Sequence, residues 1–357
     1  MNTTEGVAPV KAQQTVDRTA GRDARLLEVR DLKKHFPIHK GLLSRVAGQV
    51  YAVDGVTFHI EHGETLGLVG ESGCGKSTVG RTVLKLLDPT GGSIRVEGVD
   101  ITALDQHAML PYRRKLQMIY QDPYASLNPR MSAGEIVGEP LKVHALANGQ
   151  AWRERVADLF QRVGLRPEHM QAFPHEFSGG QRQRIGIARA LSLGPALIVG
   201  DEPVSALDVS IQAQIINLLM DLQDEFELSY LFVAHDLAVV EHISHRIAVM
   251  YLGRIVEMTD KTNLFERPLH PYTEALLSAV PIPKSGGRNR RRVVLSGEVP
   301  SPINPPHGCH FNARCPYATS RCTEVTPALR EVESGHWASC HLHDAGVSVP
   351  LAKPATE

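Results

Sequence analysis

Residues 65–78 read Thr65-Leu66-Gly67-Leu68-Val69-Gly70-Glu71-Ser72-Gly73-Cys74-Gly75-Lys76-Ser77-Thr78. The first five are a short apolar run of the length and flanks of a buried strand, and a helical run is predicted over 78–87. Between them Gly70, Gly75, Lys76 and Ser77 satisfy the pattern G-x-x-x-x-G-K-S/T. Glycines let the backbone curl so that its N–H groups, together with the helix N-terminus, face an anion. In this arrangement Lys76 reaches the β- and γ-phosphates of a nucleoside triphosphate, and the Ser77 hydroxyl ligates Mg2+. Residues 70–78 are therefore the candidate ATP-binding loop, and strand–loop–helix makes the fold class α/β.

Further apolar runs lie on either side. Stretches 26–29 and 50–60 precede the loop; 116–120, 196–200 and 230–234 follow it with the flanks of core strands. Val156, Leu159, Phe160 and Val163 recur at helical spacing, as do Ile211, Ile215, Leu218, Leu219 and Leu222. Strands alternating with helices imply a largely parallel sheet covered on both faces. Stretches 247–251 and 254–258, joined around Gly253, read as a closing hairpin. After Asn263 prolines accumulate (Pro281, Pro283, Pro300, Pro302, Pro305, Pro306), and a second, loop-rich unit is expected.

The 357 residues are 42% apolar and 22% charged, with a net charge of −1, so no global charge draws the chain to nucleic acid. No apolar run approaches the length that spans a bilayer. Segment 1–25 is polar, lacks the apolar core of a secretory signal and reads as a disordered tail; a cytoplasmic location is expected.

The stretch Leu197-Ile198-Val199-Gly200-Asp201-Glu202 narrows the chemistry. An apolar strand ending in two carboxylates places Asp201 where it can hold the Mg2+ shell and Glu202 beside an attacking water. Upstream, Phe177-Ser178-Gly179-Gly180-Gln181 opens a helix predicted over 181–193. Two glycines bring backbone amides close, Ser178 donates, and the helix dipole points at an anion.

With FSGGQRQR in this place the chain resembles an ATP-binding-cassette subunit, whose signature is LSGGQ; Phe177 stands for leucine on an apolar anchor. The resemblance implies a nucleotide-binding domain over 26–265, with a RecA-like core sheet, an antiparallel β subdomain and a helical subdomain at about 122–178. It implies that Gln121 is the lid glutamine that senses Mg2+ and that His235 is the switch histidine. Ser205, Ala206, Leu207 and Asp208 then form the loop that communicates across a dimer. The catalytic set becomes Glu202, His235 and Gln121, and the Mg2+ set Ser77, Gln121 and Asp201. Ser178, Gly179, Gly180 and Gln181 would cover the ATP of a facing subunit. For adenine stacking Phe36 is the better candidate and Tyr51 the rival, with 40–48 an insertion beside it.

The local text goes further. Residues 121–129 (QDPYASLNP), 201–210 (DEPVSALDVS) and 269–273 (LHPYT) look like the oligopeptide/dipeptide importer branch. The run FSGGQRQRIGIARAL resembles its F-type ATPase, a likeness covering about 26–345. It implies a D-type ATPase partner, two permease subunits docking near 121–129, and an extracytoplasmic peptide-binding protein. It places the chain peripherally on the cytoplasmic face of the membrane, with no nucleic-acid partner. The rival readings are the same ATPase serving nickel or another solute, and a soluble mechanoenzyme.

Four of the five cysteines, Cys309, Cys315, Cys322 and Cys340, crowd the segment 266–345 ahead of a tail at 346–357. Four convergent thiolates can staple a small unit through a metal. Zinc prefers close pairs, which these gaps lack; the resemblance implies a 4Fe–4S cluster, with zinc or free thiols as alternatives. The neighbouring His307, His310, His336, His341 and His343 read as solvated loop residues. Cys74, at a helix N-terminus where a thiol pKa can fall, is not expected to be redox-active. The basic run Arg288, Arg290, Arg291 and Arg292 reads as a solvated linker.

Overall fold

The computed structural model describes residues 25–40, 45–279, 295 and 297–344. Segment 1–24, Pro281, Pro283, the arginines at 288 and 290–292, and the tail 346–357 lie outside the described residues. Strand β1 (Leu27–Lys40) pairs antiparallel with β2 (Arg45–Ile60). Ile38 faces Gly48 and His39 faces Val46, so 45–48 belong to β2 of this hairpin rather than to an insertion; residues 41–44 lie outside the described residues. Then come β3 (Thr65–Val69), α1 (Lys76–Val83), β4 (Gly91–Val96), β5 (Val99–Asp100), α2 (Leu110–Lys115) and β6 (Leu116–Ile119). A helical stretch follows: α3 (Ala133–Val143), α4 (Gly149–Arg162) and α5 (Gly179–Leu191).

The chain continues through β7 (Leu197–Asp201), α6 (Val209–Phe226), β8 (Ser229–Ala234), α7 (Leu237–Ile243), β9 (Arg246–Tyr251) and β10 (Arg254–Asp260). It closes with α8 (Lys261–Glu266), α9 (Pro271–Ala279), α10 (Ser320–Glu324), β11 (Arg330–Glu333) and β12 (His336–Ala338). One antiparallel sheet has the order β2-β1-β4-β5. The larger sheet runs β11-β12-β10-β9-β3-β8-β7-β6. Its pairs from β9 through β3, β8 and β7 to β6 are all parallel, and β10, β12 and β11 continue it antiparallel.

Successive residues of the parallel strands divide between two cores, which explains why these runs are apolar without interruption. Leu66, Leu68, Leu197, Val199, Leu231, Val233, Ala248 and Met250 face a core shared with the hairpin and with Val79 and Val83 of α1. Ile198, Tyr230, Phe232, Ile247 and Val249 face the other core, shared with Ile215, Leu219 and Leu222 of α6 and Val156 and Phe160 of α4. Helix α1 is thus clamped between the two sheets, which fixes the loop that precedes it.

The helical stretch is held by close contacts. The Trp152 indole packs on Gly138, where a Cβ would lie 2.2 Å from its Nε1, and Nε1–H donates to the Gly138 carbonyl at 2.8 Å. After Asn263 the chain does not leave the main sheet, because β12 pairs with β10 through Glu257↔Ala338 and Met258↔Trp337.

Candidate active site

The phosphate loop leaves β3 at its C-terminal end and enters α1. Gly75 has φ +106°, and a Cβ there would meet the Ala52 carbonyl at 2.0 Å, so no larger residue fits. Lys76 is buried and its ammonium folds back on the loop, donating to the carbonyls of Gly70 at 2.7 Å and Glu71 at 3.0 Å. The Ser77 hydroxyl donates to Asp201 Oδ1 at 2.6 Å, so the two oxygens expected to share Mg2+ already meet. They are the hard donors that this ion takes. Arg81 approaches Asp201 Oδ2 at 3.4 Å. It lies four residues beyond Ser77 on α1, the same helix face, a spacing from which it could have been anticipated.

Gln121, Glu202 and His235 follow β6, β7 and β8, which are neighbours in the sheet. Open parallel sheets bind ligands at the carboxyl ends of their strands, and here the three side chains converge. Glu202 Oε2 accepts from Gln121 Nε2 at 3.1 Å and lies 3.1 Å from His235 Nδ1. The Glu202 backbone is left-handed at φ 47°, strain that costs about 1–3 kcal/mol and clusters at functional positions. A hydrogen bond from Glu202 N–H to the Val233 carbonyl holds it there. Ser205 bonds back to the Glu202 carbonyl through both N–H and hydroxyl.

Ser178 is the N-cap of α5. Its oxygen accepts from Gln181 N–H at 3.4 Å, and Gln181 Oε1 accepts from Ser178 N–H at 2.9 Å, a closed capping box worth about 1 kcal/mol. Among the described residues no hydrogen bond joins Ser178–Gln181 to the chain's own phosphate loop. Leu207 and Ile211 lie against Gly179 and Gly180, so Ser205–Asp208 and the signature adjoin. Next to them Val209 is 81% exposed.

Phe36 pairs with Val50 and Tyr51 with His35, so Phe36 and Tyr51 occupy opposite faces of the hairpin and only one can cover an adenine. Tyr51 packs edge-on against His35, with ring centroids 4.6 Å apart, and Lys34 lies 5.1 Å from the Phe36 ring.

Comparison with known proteins gives the family. The family described as ABC transporter matches residues 53–205, and the oligopeptide/dipeptide transporter C-terminal region matches 256–322. The chain is 55% identical over 327 residues to the oligopeptide transport ATP-binding protein AppF of Bacillus subtilis (strain 168), covering 91% of this chain and 99% of that one. The chain belongs to the ATP-binding subunits of ABC peptide transporters. The dipeptide transport ATP-binding protein DppF of Escherichia coli (strain K12) is 50% identical, covering 89% and 95%. Among solved structures, the ATP-binding cassette MJ0796, a dimer in a post-hydrolysis state with ADP and Pi, is 28% identical with a TM-score of 0.59. It covers 66% of this chain and 98% of that one.

Among the described residues no group of three or more His, Cys, Asp or Glu side chains is arranged to hold a metal ion. None of the five cysteines is in a disulfide. Burial, reinforced by the neighbouring sulfurs, pushes Cys315 up to about 11 and Cys340 up to about 12, while the N–H groups of Tyr317 and Leu342 oppose the rise. Cys74 is also raised, not lowered, because burial outweighs the nearby Lys76; it is a packing residue.

Of the histidines expected in solvent, His310, His336 and His341 are buried. His336 Nε2 meets the buried Glu257 at 2.7 Å, and His341 bridges Asp344 and the Val325 carbonyl. Strand pairing to β10 carries His336 inside, and a contact of His310 Nδ1 with the Leu252 carbonyl accompanies the burial of His310. No helix among the described residues is long and apolar enough to cross a membrane.

Proposed function

We propose that this ABC-type ATPase energises uptake of short peptides as one half of a composite pair of sites, and that convergence of Gln121, Glu202 and His235 beside the phosphate loop carries the reading. ATP bound at Gly70–Thr78 would draw Lys76 from the Gly70 and Glu71 carbonyls onto the β- and γ-phosphates. Ser77, Asp201 and Gln121 would hold Mg2+, which neutralises phosphate charge. Glu202 orients and deprotonates the attacking water, and His235 contacts the γ-phosphate; catalysis is positioning plus charge stabilisation. Phe36 is the proposed adenine platform, with Tyr51 on the opposite face.

Ser178, Gly179, Gly180 and Gln181 would cap the ATP of a facing D-type subunit, with Ser205–Asp208 linking the two sites. The exposed Ser178 and Val209 support that reading, as does the signature's lack of hydrogen bonds, among the described residues, to the chain's own loop. Two permeases would dock on the segment after Gln121. There Asp122 accepts from the N–H groups of Tyr124 and Ala125, and Tyr124, 65% exposed, lies under the Arg182 guanidinium at 3.7 Å. Docking there would put the chain on the cytoplasmic face, with a peptide-binding protein acting from the opposite side. Deleting the gene should abolish uptake of di- or oligopeptides and its return should restore it. Restored nickel uptake with unchanged peptide uptake would favour the rival solute.

Cys309, Cys315, Cys322 and Cys340 would hold a 4Fe–4S cluster, with zinc the alternative. Supporting this, Cys309, Cys315 and Cys340 each receive backbone N–H groups near sulfur, and the Cys340 thiol, raised first by burial, is raised further by the sulfurs of Cys309, Cys315 and Cys322, the surroundings of a cluster thiolate. Anaerobic purification should give about four iron and four acid-labile sulfide per chain. Stoichiometric zinc without sulfide would refute the cluster.

A further inference from the structure

The phosphate loop is gripped from the C-terminal segment. Arg314, 243 residues after Glu71 in the chain, donates from Nη1 to Glu71 Oε2 at 2.7 Å and from Nη2 to Oε1 at 3.0 Å. This is the two-pronged geometry that fixes a carboxylate in direction as well as distance. Arg314 is itself buried, its side chain 7% exposed, and the hydroxyl of Tyr251 lies 3.4 Å from Nη1. Tyr251 packs with Tyr272 and Phe311 at centroid separations of 4.7 and 5.2 Å. Tyr272 adds a second grip, its hydroxyl accepting the Glu71 N–H at 2.8 Å. A third tie lies on the hairpin side, where Tyr51 N–H donates to the Pro302 carbonyl at 2.9 Å.

Glu71 is an odd residue for its place. A loop that must receive a polyanion carries a carboxylate next to Gly70, and an unpaired charge there would oppose the phosphates. Arg314 cancels that charge and holds it toward the C-terminal segment. Arg314 is shielded from solvent while the Glu71 side chain is 28% exposed, so salt screens the pair only in part.

We propose that Arg314 is a positioning residue for nucleotide binding: by neutralising and orienting Glu71 it makes the C-terminal segment a working part of the ATP site. This rests on the reading that residues 70–78 bind ATP. It assigns the segment a task that does not depend on any metal it holds.

The test is a titration of the full-length chain with a fluorescent ATP analogue and Mg2+, beside a thermal melt of each variant. Lys76→Ala controls the underlying reading: unchanged affinity in that variant would mean that the loop is not the ATP site. Arg314→Gln is expected to weaken binding about tenfold, less than the loss of one partner of a fully buried charge pair, because the Glu71 side chain is 28% exposed. In the Glu71→Gln background, where there is no carboxylate to neutralise, the same change should cost less than about twofold. A merely structural role would cost the same in both backgrounds, and that result would overturn the proposal, as would unchanged affinity in Arg314→Gln while Lys76→Ala loses binding. Should Arg314→Gln not fold, Arg314→Lys replaces it. Keeping the charge but not the fork, it should lose about threefold against Glu71 and nothing against Glu71→Gln; equal losses would refute the idea.

Discussion

Glu202→Gln, placed in the assembled transporter, is expected to retain ATP and lose turnover by about 10²- to 10⁴-fold, the contribution of a positioned general base. The substitution keeps the shape of the side chain and removes its charge and basicity. Glu202 Oε2 is the shared partner of Gln121 and His235, each 3.1 Å away. It is held there by a left-handed backbone whose strain the β8 contact offsets. Nothing in the loop that holds phosphate changes, so nucleotide affinity in a filter-binding assay should stay within about threefold of wild type. Phosphate release at the normal rate would remove Glu202 from the role of base.

Ser178→Arg should separate the two halves of the site. Its oxygen caps α5, so the substitution costs about 1 kcal/mol of stability, a cost to be checked by melting. It does not contact residues 70–78 of its own chain, and ATP affinity of the isolated subunit should be unaltered. In the proposed complex, a bulky cation would replace a small donor facing the partner's nucleotide. ATPase activity should fall about 10²-fold or more, the usual loss when one donor to developing charge is removed. Full activity in the complex, or loss of ATP binding by the isolated chain, would each contradict a signature that serves the other subunit.

Much of this site was readable because its parts are local. The G-x-x-x-x-G-K-S/T loop needs only a strand before it and a helix after it, and β3 ends at Val69 as its apolar run does. The residues Gln121, Glu202 and His235 each follow an apolar strand. Their convergence depends on β6, β7 and β8 being adjacent, an order that no single segment carries and that the family resemblance supplied. The apolar stretches 26–29 and 50–60 fall short of the full strands β1 and β2 because the residues between them mix polar and small types; for Arg45–Gln49 pairing to β1, not propensity, keeps the backbone extended.

The C-terminal segment was the least legible. Its prolines and scattered apolar residues gave no period, yet β11 and β12 extend the main sheet and bury His336 against Glu257. The Arg314–Glu71 pair spans 243 residues, and neither residue lies in a pattern that points to the other. Nor could spacing tell that burial would raise Cys74 above an ordinary thiol, where a helix N-terminus would lower it.

The claim at the centre is that Gly70–Thr78 is one jaw of a two-subunit site. The most direct measurement is a structure of the assembled transporter carrying Glu202→Gln, determined with ATP and Mg2+. The expected result is ATP at Gly70–Thr78 with its γ-phosphate covered by the signature serine and glycines of the facing ATPase subunit, while Ser178–Gly180 of this chain cover the other nucleotide. ATP bound at this loop with no facing signature, its γ-phosphate met only by this chain, would contradict it.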